Sequence, residues 1–361
     1  MVMKSTNLLI KGENLKVLEY LVDNYRGKVD LIYIDPPFNS NQIFYYSEDR
    51  KNSISKSLSG EVAYSDKFTL QSFLDFLRER LVLLRELLSE QGSLYLHIDD
   101  KMSHYVKVLL DEIFGMQNFK NDIARIKCNP KNFERSAYGN EKDVILFYAK
   151  NAKKNIWNEV KTRLDNDELK TAFKKIDKEG RRYTTVPCHA PGETKNGETC
   201  REWKGARPPT GRHWRCSPIE LTKLDEQGRI EWSKTGTPRI IKYADEHTGK
   251  KVQDVWYYKD PQNPEYPTQK NLEMLKFIVS QSSNKDSIVL DCFAGSGTTL
   301  QAAIKQNRHW IGIDNSNVAI DVIKQILSNQ NTDYEYLDLS TNIAKKAVFN
   351  AVVKQLRMDI V

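Results

Sequence analysis

Four consecutive residues, D-P-P-F, follow a run of strand-forming residues in the stretch VDLIYIDPPFNSN near the start of the chain. Because proline cannot donate a hydrogen bond to a strand partner, a strand over residues 31–34 is predicted to end at Asp35. The carboxylate of Asp35 and the backbone carbonyl of Pro36, which Pro37 restricts, are then two hydrogen-bond acceptors at a rigid tip. Phe38 adds a flat aromatic face beside them. The strand is therefore predicted to lead into a rigid, exposed tip.

A second group of residues with chemical potential lies in IVLDCFAGSGTTLQAA, late in the chain. The pattern predicts a strand that ends at Asp291, a tight turn through Gly295, Ser296 and Gly297, and a helix that begins near Thr298. Such a turn lets backbone N–H groups approach a ligand, and the helix N-terminus favours negative charge. The same turn can also serve only to pack a helix against a strand, so this motif alone leaves both interpretations open.

An acid about twenty residues further on favours the ligand-binding interpretation. The stretch WIGID predicts a second strand that ends in Asp314, and a carboxylate in that position can accept hydrogen bonds from the two hydroxyl groups of a ribose. The turn lacks the full G-x-G-x-x-G pattern, and the chain contains no G-x-x-x-x-G-K-[ST]. A nucleoside cofactor other than NAD or ATP is therefore predicted.

The elements that must position these residues alternate between strands and helices. The hydropathy pattern predicts this alternation over residues 6–150, including a long amphipathic helix over residues 69–90 that Gly92 ends. The alternation resumes after Pro261. Strands separated by helices imply a parallel sheet that is covered on both faces. The polar residues 39–66 are predicted to form a mobile loop.

The basic residues are concentrated in the segment between the two alternating regions. Residues 151–260 contain 24 Lys and Arg against 17 Asp and Glu, which accounts for the whole net charge of +7. They also interleave Pro, Gly and Trp with short apolar pieces, so a separate, loop-rich insertion is predicted. A basic excess confined to one segment is typical of a module that binds a polyanion, although a lysine-rich solvated surface produces the same composition.

The two motifs together resemble those of the amino-group DNA methyltransferases, which are S-adenosylmethionine enzymes with the hallmarks D-P-P-[FY] and F-x-G-x-G. The second hallmark is present as FAGSG, from Phe293 to Gly297, and YPTQKNLEMLKFIV resembles the helix-starting P-T-Q-K motif of the family. The order of catalytic motif, recognition region and cofactor motif resembles the beta group. The resemblance covers nearly the whole chain.

Membership of the beta group implies a circularly permuted, doubly wound, Rossmann-like α/β sheet. The strand 288–291 is then central, with 309–314 as its neighbour, the strand of NLLIKGEN next to that, and VDLIYID on the other side of the centre. Asp35, Asp291 and Asp314 are therefore expected at the same carboxyl edge, where doubly wound sheets bind ligands.

The resemblance also implies a division of the chain and a cofactor site. The expected parts are the catalytic half 1–150 with a lid over the target base at 39–66, the target-recognition region 151–260, the cofactor half 261–340 and a helical tail 341–361. The residues expected to bind S-adenosylmethionine are Asp291, Phe293, Gly295, Ser296, Gly297, Thr298, Asp314, Thr268, Lys270 and Glu13.

The chemistry expected at the D-P-P-F tip follows from the poor nucleophilicity of the adenine amino group, whose lone pair is delocalised into the ring. Acceptors aimed at its two hydrogens, from Asp35 and Pro36, can return electron density to the nitrogen and turn it toward the methyl donor. Phe38 can stack on an extruded base. The tip residues Asp35, Pro36, Pro37 and Phe38 are thus the expected catalytic set, for direct transfer without a covalent enzyme intermediate.

The basic insertion is expected to recognise double-stranded DNA through contacts to phosphates and base edges, with Trp203 and Trp214 interleaved among the basic residues. The residues expected to contact DNA are Arg181, Arg182, Arg201, Lys204, Arg207, Arg212 and Arg215. A homodimer and a separate cognate restriction endonuclease are the further expected partners.

Several alternative functions stay open at this point. D-P-P-F favours the adenine N6 atom, whereas the cytosine N4 enzymes more often carry S-P-P-[FY], so cytosine N4 is the main alternative. A catalytically inactive DNA-binding protein with the same fold is another. A methyltransferase for RNA or protein glutamine commonly uses N-P-P-Y and places the cofactor motif first, and this chain does neither.

The five cysteines and the hydropathy limit other classes of function. The cysteines are an odd number without a C-x-x-C pair, and their spacing with His189 and His213 matches no common zinc finger, so no metal is expected and Cys188 is expected to be structural. No segment resembles a signal peptide or approaches the length of a membrane helix, so a cytoplasmic location without membrane contact is expected.

Overall fold

A computed structural model describes residues 7–37, 69–130, 136–262, 264 and 269–340, and it gives the backbone of 42–46 and 61–66. Phe38, Thr268, the predicted helical tail 341–361 and most of the predicted lid lie outside the described residues.

The described residues contain eight α-helices and nineteen β-strands. The α-helices are α1 (Asn14–Tyr25), α2 (Leu70–Leu87), α3 (Asp100–Phe114), α4 (Asn166–Ala172), α5 (Pro218–Glu226), α6 (Leu272–Ser282), α7 (Thr298–Ile304) and α8 (Asn317–Asn329). The strands are β1 (Leu8–Lys11), β2 (Val29–Ile34), β3 (Gln42–Tyr46), β4 (Glu61–Asp66), β5 (Leu88–Ile98), β6 (Phe119–Ile126), β7 (Lys142–Ala149), β8 (Lys161–Thr162), β9 (Lys175–Ile176), β10 (Arg182–Pro187), β11 (His189–Pro191), β12 (Arg212–Trp214), β13 (Ile230–Trp232), β14 (Pro238–Tyr243), β15 (Lys250–Lys251), β16 (Val255–Trp256), β17 (Ile288–Asp291), β18 (His309–Asp314) and β19 (Glu335–Asp338).

The chain divides into two compact units. Residues 161–252 form one unit, and the described residues on either side of them form the other. The second of these contains a nine-stranded sheet and is here called the sheet unit, whereas residues 161–252 are called the inserted unit. No helix among the described residues is long and apolar enough to cross a membrane.

The large sheet has the strand order β16-β6-β7-β5-β2-β17-β18-β1-β19. β17 pairs in parallel with β18 on one side and with β2 on the other, and β1 pairs in parallel with β18. The strand order predicted for the permuted sheet is therefore confirmed. The strands that come last in the sequence lie at the centre of the sheet, beside the strand that precedes Asp35.

At one side the sheet departs from the parallel arrangement that the alternation of strands and helices predicts. β7 pairs antiparallel with both β5 and β6. The described residues between β6 and β7 form no helix, and two strands joined without a crossover helix return antiparallel. β6 begins with mostly polar residues, and the sequence pattern therefore did not predict this strand.

The long helix after the predicted loop ends earlier than the sequence indicates. α2 begins after Thr69, whose hydroxyl accepts a hydrogen bond from Ser72 N at 3.2 Å, and it ends at Leu87 rather than near Glu90. β5 begins at once with Leu88, which is buried and pairs with Val29 of β2. Burial of Leu88 against the sheet thus takes precedence over the helical propensity of the residues after it.

The predicted irregular loop 39–66 contains a pair of strands. The backbone of β3 pairs antiparallel with that of β4, with a register irregularity between Phe44 and Tyr45. The sequence pattern of this segment did not predict these strands. Its role as a lid stays a prediction.

Apolar residues that point to both faces of the sheet form the core of the sheet unit. The central strands are buried almost throughout, as in β2 and β7, which is typical of a sheet that is covered on both faces. α2 buries Phe73, Leu77, Leu81 and other residues of one face at helical spacing. Each fully buried leucine contributes about 1.5 to 3 kcal/mol. This core holds the ends of the strands, and therefore the site, in a fixed geometry.

The inserted unit has a small core of its own. A four-stranded antiparallel sheet in the order β13-β14-β10-β9 packs with α5 around Cys188, Trp203, Trp214, Leu221 and Ile240. Cys188 is completely buried, in agreement with its predicted structural role, and burial raises the pKa of its thiol to about 12.

Candidate active site

Three acids lie at the carboxyl edge of the large sheet, as predicted. Asp291 and Asp314 are the last residues of β17 and β18, and Asp35 follows the last residue of β2. The three strands are parallel neighbours, so their ends reach the same edge of the sheet. This set of strand ends is called the carboxyl edge below.

The glycine turn after β17 has the conformation that glycine is needed for. Gly295 and Gly297 have positive φ values of 49° and 72°, and a β-carbon on Gly297 would lie 2.8 Å from Ile323 Cγ1. The helix α7 begins at Thr298, as predicted. Only glycine therefore allows the turn to lie this close to α8 while its N–H groups stay near the edge.

Hydrogen bonds tie this turn to the acid of the neighbouring strand. Gly295 N donates to Asp314 Oδ2 at 2.8 Å, and Ser316 N donates to Asp314 Oδ1 at 2.8 Å. Desolvation raises the pKa of Asp314. The carboxylate of Asp314 thus orients the turn, and each of its oxygens already accepts one backbone hydrogen bond.

Asp291 organises the start of the same turn. Its Oδ1 accepts from Phe293 N at 2.9 Å, and its Oδ2 accepts from the hydroxyl of Thr299 at 2.6 Å. The side chain is buried, and this burial raises its pKa to about 7. Asp291 therefore lies in a position where a cation bound nearby would favour its ionised form.

Asp35 has one engaged and one open carboxylate oxygen. Asp35 Oδ2 lies 2.8 Å from Lys270 Nζ, whereas Oδ1 is buried and has no hydrogen-bond partner in the described part of the chain. Buried carboxylate oxygens are normally paired, so an open one at a strand end indicates an acceptor for a ligand group. Pro36 is buried and Pro37 partly buried beside it.

Glu13, one of the predicted cofactor residues, has structural contacts. Its carboxylate caps α1 by accepting from Leu15 N and Lys16 N, each at 3.1 Å, and it lies 2.6 Å from Arg80 Nη2. Arg80 is buried and also donates to Asn14 Oδ1 at 2.6 Å. Glu13 thus ties α1 to α2, and its role toward a cofactor stays a prediction.

A network of buried polar groups lies beside Asp35 and was not predicted as part of the site. Tyr33 Oη lies 2.8 Å from His97 Nδ1, and His97 Nε2 lies 3.3 Å from Asp143 Oδ2. Arg125 Nη1 and Lys127 Nζ lie 3.4 Å and 2.6 Å from the Asp143 carboxylate.

Electrostatics connect this network to the tip. Burial and the charge of Lys270 lower the pKa of His97, while burial and the Asp35 charge raise that of Tyr33. Asp143 has a lowered pKa because its hydrogen bonds to His97 and Lys127 outweigh its burial. A histidine and an acid within otherwise apolar strands, in LHID and KDVILFYA, are the signal in the sequence for this network.

The seven basic residues predicted to contact DNA have partners within the inserted unit. Arg181 makes two 3.0 Å hydrogen bonds to Asp245, and Arg207 lies 3.4 Å from Glu202. The other predicted DNA contacts bond as follows: Arg182 to Phe173 O, Arg201 with Glu198, Lys204 with Asp225, Arg212 with His189 and Arg215 to Pro187 O. Their role in DNA binding stays a prediction, and in the ion pairs phosphate competes with a carboxylate for the same cation.

The two tryptophans of the segment are not available for base contacts. Trp203 and Trp214 are buried in the core of the inserted unit, where Trp203 Nε1 donates to Thr222 and Trp214 Nε1 to Arg201 O, each at 2.9 Å. Their burial follows from the size of the unit, because a small unit needs large aromatic side chains for its core. Among the described residues, no group of three or more His, Cys, Asp and Glu could hold a metal.

Comparison with known proteins agrees with the geometry of the carboxyl edge. Residues 29–325 match the N6/N4 DNA methylase family. The type II methyltransferase M.EcaI of Enterobacter cloacae is 40% identical over 343 residues, which cover 93% of this chain and 73% of that protein. The StyLTI Mod subunit, part of a type III restriction-modification enzyme of Salmonella typhimurium, is 27% identical over 96% of this chain and 55% of its own length.

A solved structure was also matched, that of the putative DNA modification methylase TTHA0409 of Thermus thermophilus in complex with S-adenosyl-L-methionine. It covers 93% of this chain and all of that one, with 16% identity and a TM-score of 0.49. The chain spans about half the length of the Mod subunit.

The chain belongs to the N6/N4 DNA methylase family. The predicted family and fold class are thereby confirmed, and the cofactor is S-adenosylmethionine, as expected. The residues at the carboxyl edge fit this cofactor, because a turn that only glycine permits lies beside acids whose charge suits a sulfonium and an ammonium group.

Proposed function

We propose that this chain transfers a methyl group from S-adenosylmethionine to the exocyclic N6 atom of adenine at a specific sequence in double-stranded DNA. The observation that carries the proposal is the open, buried Oδ1 of Asp35. It lies at the edge of the sheet that also carries the glycine turn of the cofactor motif.

An adenine amino group provides the hydrogen that this oxygen lacks. Its lone pair is delocalised into the ring, so the nitrogen becomes nucleophilic only when acceptors bind its hydrogens. Asp35 Oδ1 and the carbonyl of Pro36 are the acceptors we assign to this step. The base must leave the duplex to reach them, and Phe38 is the residue we propose to stack on it.

The cofactor residues are those around the turn. Asp291, Phe293, Gly295, Ser296, Gly297, Thr298 and Asp314 are the residues proposed to hold the cofactor, with Thr268, Lys270 and Glu13 as further candidates from the resemblance. When bound, the cofactor supplies an electrophilic methyl group on a sulfonium. Asp291 is buried in the sheet, and its two oxygens accept from Phe293 N and from the hydroxyl of Thr299 on α7, which ties both ends of the turn to the strand.

The choice of adenine over cytosine depends on the D-P-P-F sequence, which in this family favours the N6 atom. The restriction-modification relatives support a proposed cognate endonuclease on a separate chain. A homodimer and recognition of the DNA sequence by residues 151–260 are part of the same proposal, with 39–66 as the lid.

The base assignment is tested by identifying the methylated nucleoside. The protein is incubated with labelled S-adenosylmethionine and plasmid DNA from a methylation-deficient host, and parallel samples contain RNA or total protein. Labelled DNA is then digested to nucleosides. We expect N6-methyladenine. Label in N4-methylcytosine would identify cytosine as the target base. Label only in RNA or protein would overturn the proposal.

A pair of variants tests the role of Asp35. Asp35→Ala is expected to lower the single-turnover rate by about 10³-fold or more while S-adenosylmethionine still binds. Asp30→Ala is the matched control, because Asp30 is an acid of the same strand whose carboxylate accepts from Ser89 Oγ at 2.7 Å, away from the strand end. Equal losses in the two variants would contradict a catalytic role for Asp35.

A further inference from the structure

The ion pair between Lys270 and Asp35 lies almost out of solvent. Lys270 Nζ and Asp35 Oδ2 are 2.8 Å apart, and the two side chains are only 10% and 17% exposed. Removing two charges from water costs several kcal/mol per ion, so such a pair is weak evidence for stability by itself. Its place directly at the predicted catalytic acid suggests a role in the reaction.

The pair distinguishes the two oxygens of Asp35. Oδ2 is held by the lysine ammonium group, and Oδ1 is buried without a partner among the residues described. A carboxylate free to rotate about its last bond would present either oxygen in turn. The lysine fixes the rotation, so that the same oxygen always faces the open side.

The backbone around Lys270 is itself anchored to the sheet. Asn271 caps α6 with its side-chain oxygen and donates to Lys259 O at 2.9 Å. Arg125 of β6, which is completely buried, donates to Tyr258 O at 2.7 Å and pairs with Asp260. The start of α6 is thus tied to residues 258–260, and these are tied to the polar network beneath the tip.

We propose that Lys270 is a positioning residue that holds Asp35 Oδ2, so that Oδ1 is presented to the amino group of the target base. This inference rests on the proposed function of Asp35. It differs from the role that the family resemblance gives to Lys270, which is binding of S-adenosylmethionine. The two roles predict different defects for the same substitution.

A double-mutant cycle separates these roles. Lys270→Gln is expected to lower the single-turnover rate of methyl transfer to plasmid DNA by about 10²-fold, the size of effect that a misplaced reacting group produces. Its affinity for S-adenosylmethionine, measured by calorimetry, is expected to stay within about twofold of wild type. In the Asp35→Asn background the same substitution is expected to cause almost no further loss of rate, because residues that act as one unit are not additive.

The results that overturn the inference are equally specific. Additive losses of rate in the double variant would show that Lys270 does not act through Asp35. A tenfold or greater loss of S-adenosylmethionine affinity in Lys270→Gln, in either background, would assign Lys270 to the cofactor instead. Lys276→Gln is the matched control: Lys276 lies on α6, is more exposed and pairs with Glu273 at 3.0 Å. It is expected to behave as wild type.

The same double-mutant cycle can also be measured on stability, which does not depend on the reaction. In denaturant unfolding, Lys270→Gln and Asp35→Asn are expected to be non-additive, because they remove the two partners of one pair. Additive effects on the free energy of unfolding would show that the two side chains do not interact, and the inference would then be wrong. If Lys270 and Asp35 are coupled in unfolding but the wild-type protein methylates no DNA, the proposed function is wrong although the ion pair exists.

Discussion

The carboxyl edge and the inserted unit both depend on charged side chains, but they place them in opposite environments. At the edge, Asp291 is buried, and Lys270 with Asp35 is nearly so. In the inserted unit the charges lie on the surface, as in the pair of Arg181 with Asp245, and the interior is apolar.

This difference shows where function can be inferred from position. A buried charge costs free energy, so a cluster of them at a strand end points to a task other than folding. A surface ion pair costs and contributes little, and it is compatible with DNA binding or with simple solvation. The buried charges of the carboxyl edge therefore support a proposed mechanism. The surface charges of the inserted unit indicate only the class of partner.

The first test of this comparison concerns the interior of the inserted unit. Trp214→Ala removes a large buried aromatic side chain, so the free energy of unfolding of this unit is expected to fall by about 3 to 5 kcal/mol. Hydrogen exchange of residues 161–252 in the full chain measures the change. Trp232→Ala, at a tryptophan that is 42% exposed, is the control and is expected to cost less. A larger loss at Trp232 would mean that the core has been assigned to the wrong residues.

The second test concerns the buried acid at the edge. Burial raises the pKa of Asp291 to about 7, whereas an unfolded chain has an aspartate pKa near 3.9. The folded state then binds more protons between these values, so this group lowers stability as the pH rises from about 4 to 7. Asp291→Asn removes that dependence.

The measurement is denaturant unfolding of both proteins without cofactor. Relative to wild type, the free energy of unfolding of Asp291→Asn is expected to increase by about 2 to 3 kcal/mol between pH 5 and pH 8. Asp314 and Asp143 titrate in both proteins and cancel in the difference. A difference that does not vary with pH would contradict a buried, protonated Asp291 and would weaken the contrast between edge and insertion.

The same contrast decides how much could be predicted from the sequence. The three acids of the edge follow apolar strands directly, so their strand ends and their shared edge could be predicted, and the family order supplied the permutation. The network around His97 could not, because its members come from four strands and only the pairing of β5, β6 and β7 brings them together.

The inserted unit was less predictable for a related reason. Its composition shows the excess of basic residues but not which side chains fill the core, so the burial of Trp203 and Trp214 could not be predicted. Short strands such as β11 and β12 have too few residues for a periodic pattern to appear. Only the pairing of distant segments, such as β10 with β14, shows which face is buried.

The smallest expected effect tests whether the paired surface charges of the inserted unit can contact DNA. Arg181→Ala removes a guanidinium group that now bonds to Asp245 and lies over the ring of Tyr243. If phosphate replaces Asp245 in the complex, the slope of the logarithm of the binding constant against that of salt concentration is expected to fall by about one. Fluorescence anisotropy with duplex DNA at several salt concentrations measures this slope.

The control is an exposed arginine of the sheet unit. Arg26 pairs with Glu86 on the surface and is not among the predicted DNA contacts, so Arg26→Ala is expected to leave the slope unchanged. An unchanged slope in Arg181→Ala as well would mean that the pair with Asp245 persists on DNA. Recognition would then have to depend on other residues of the segment, because a guanidinium whose charge stays neutralised by a carboxylate does not displace counterions from a phosphate.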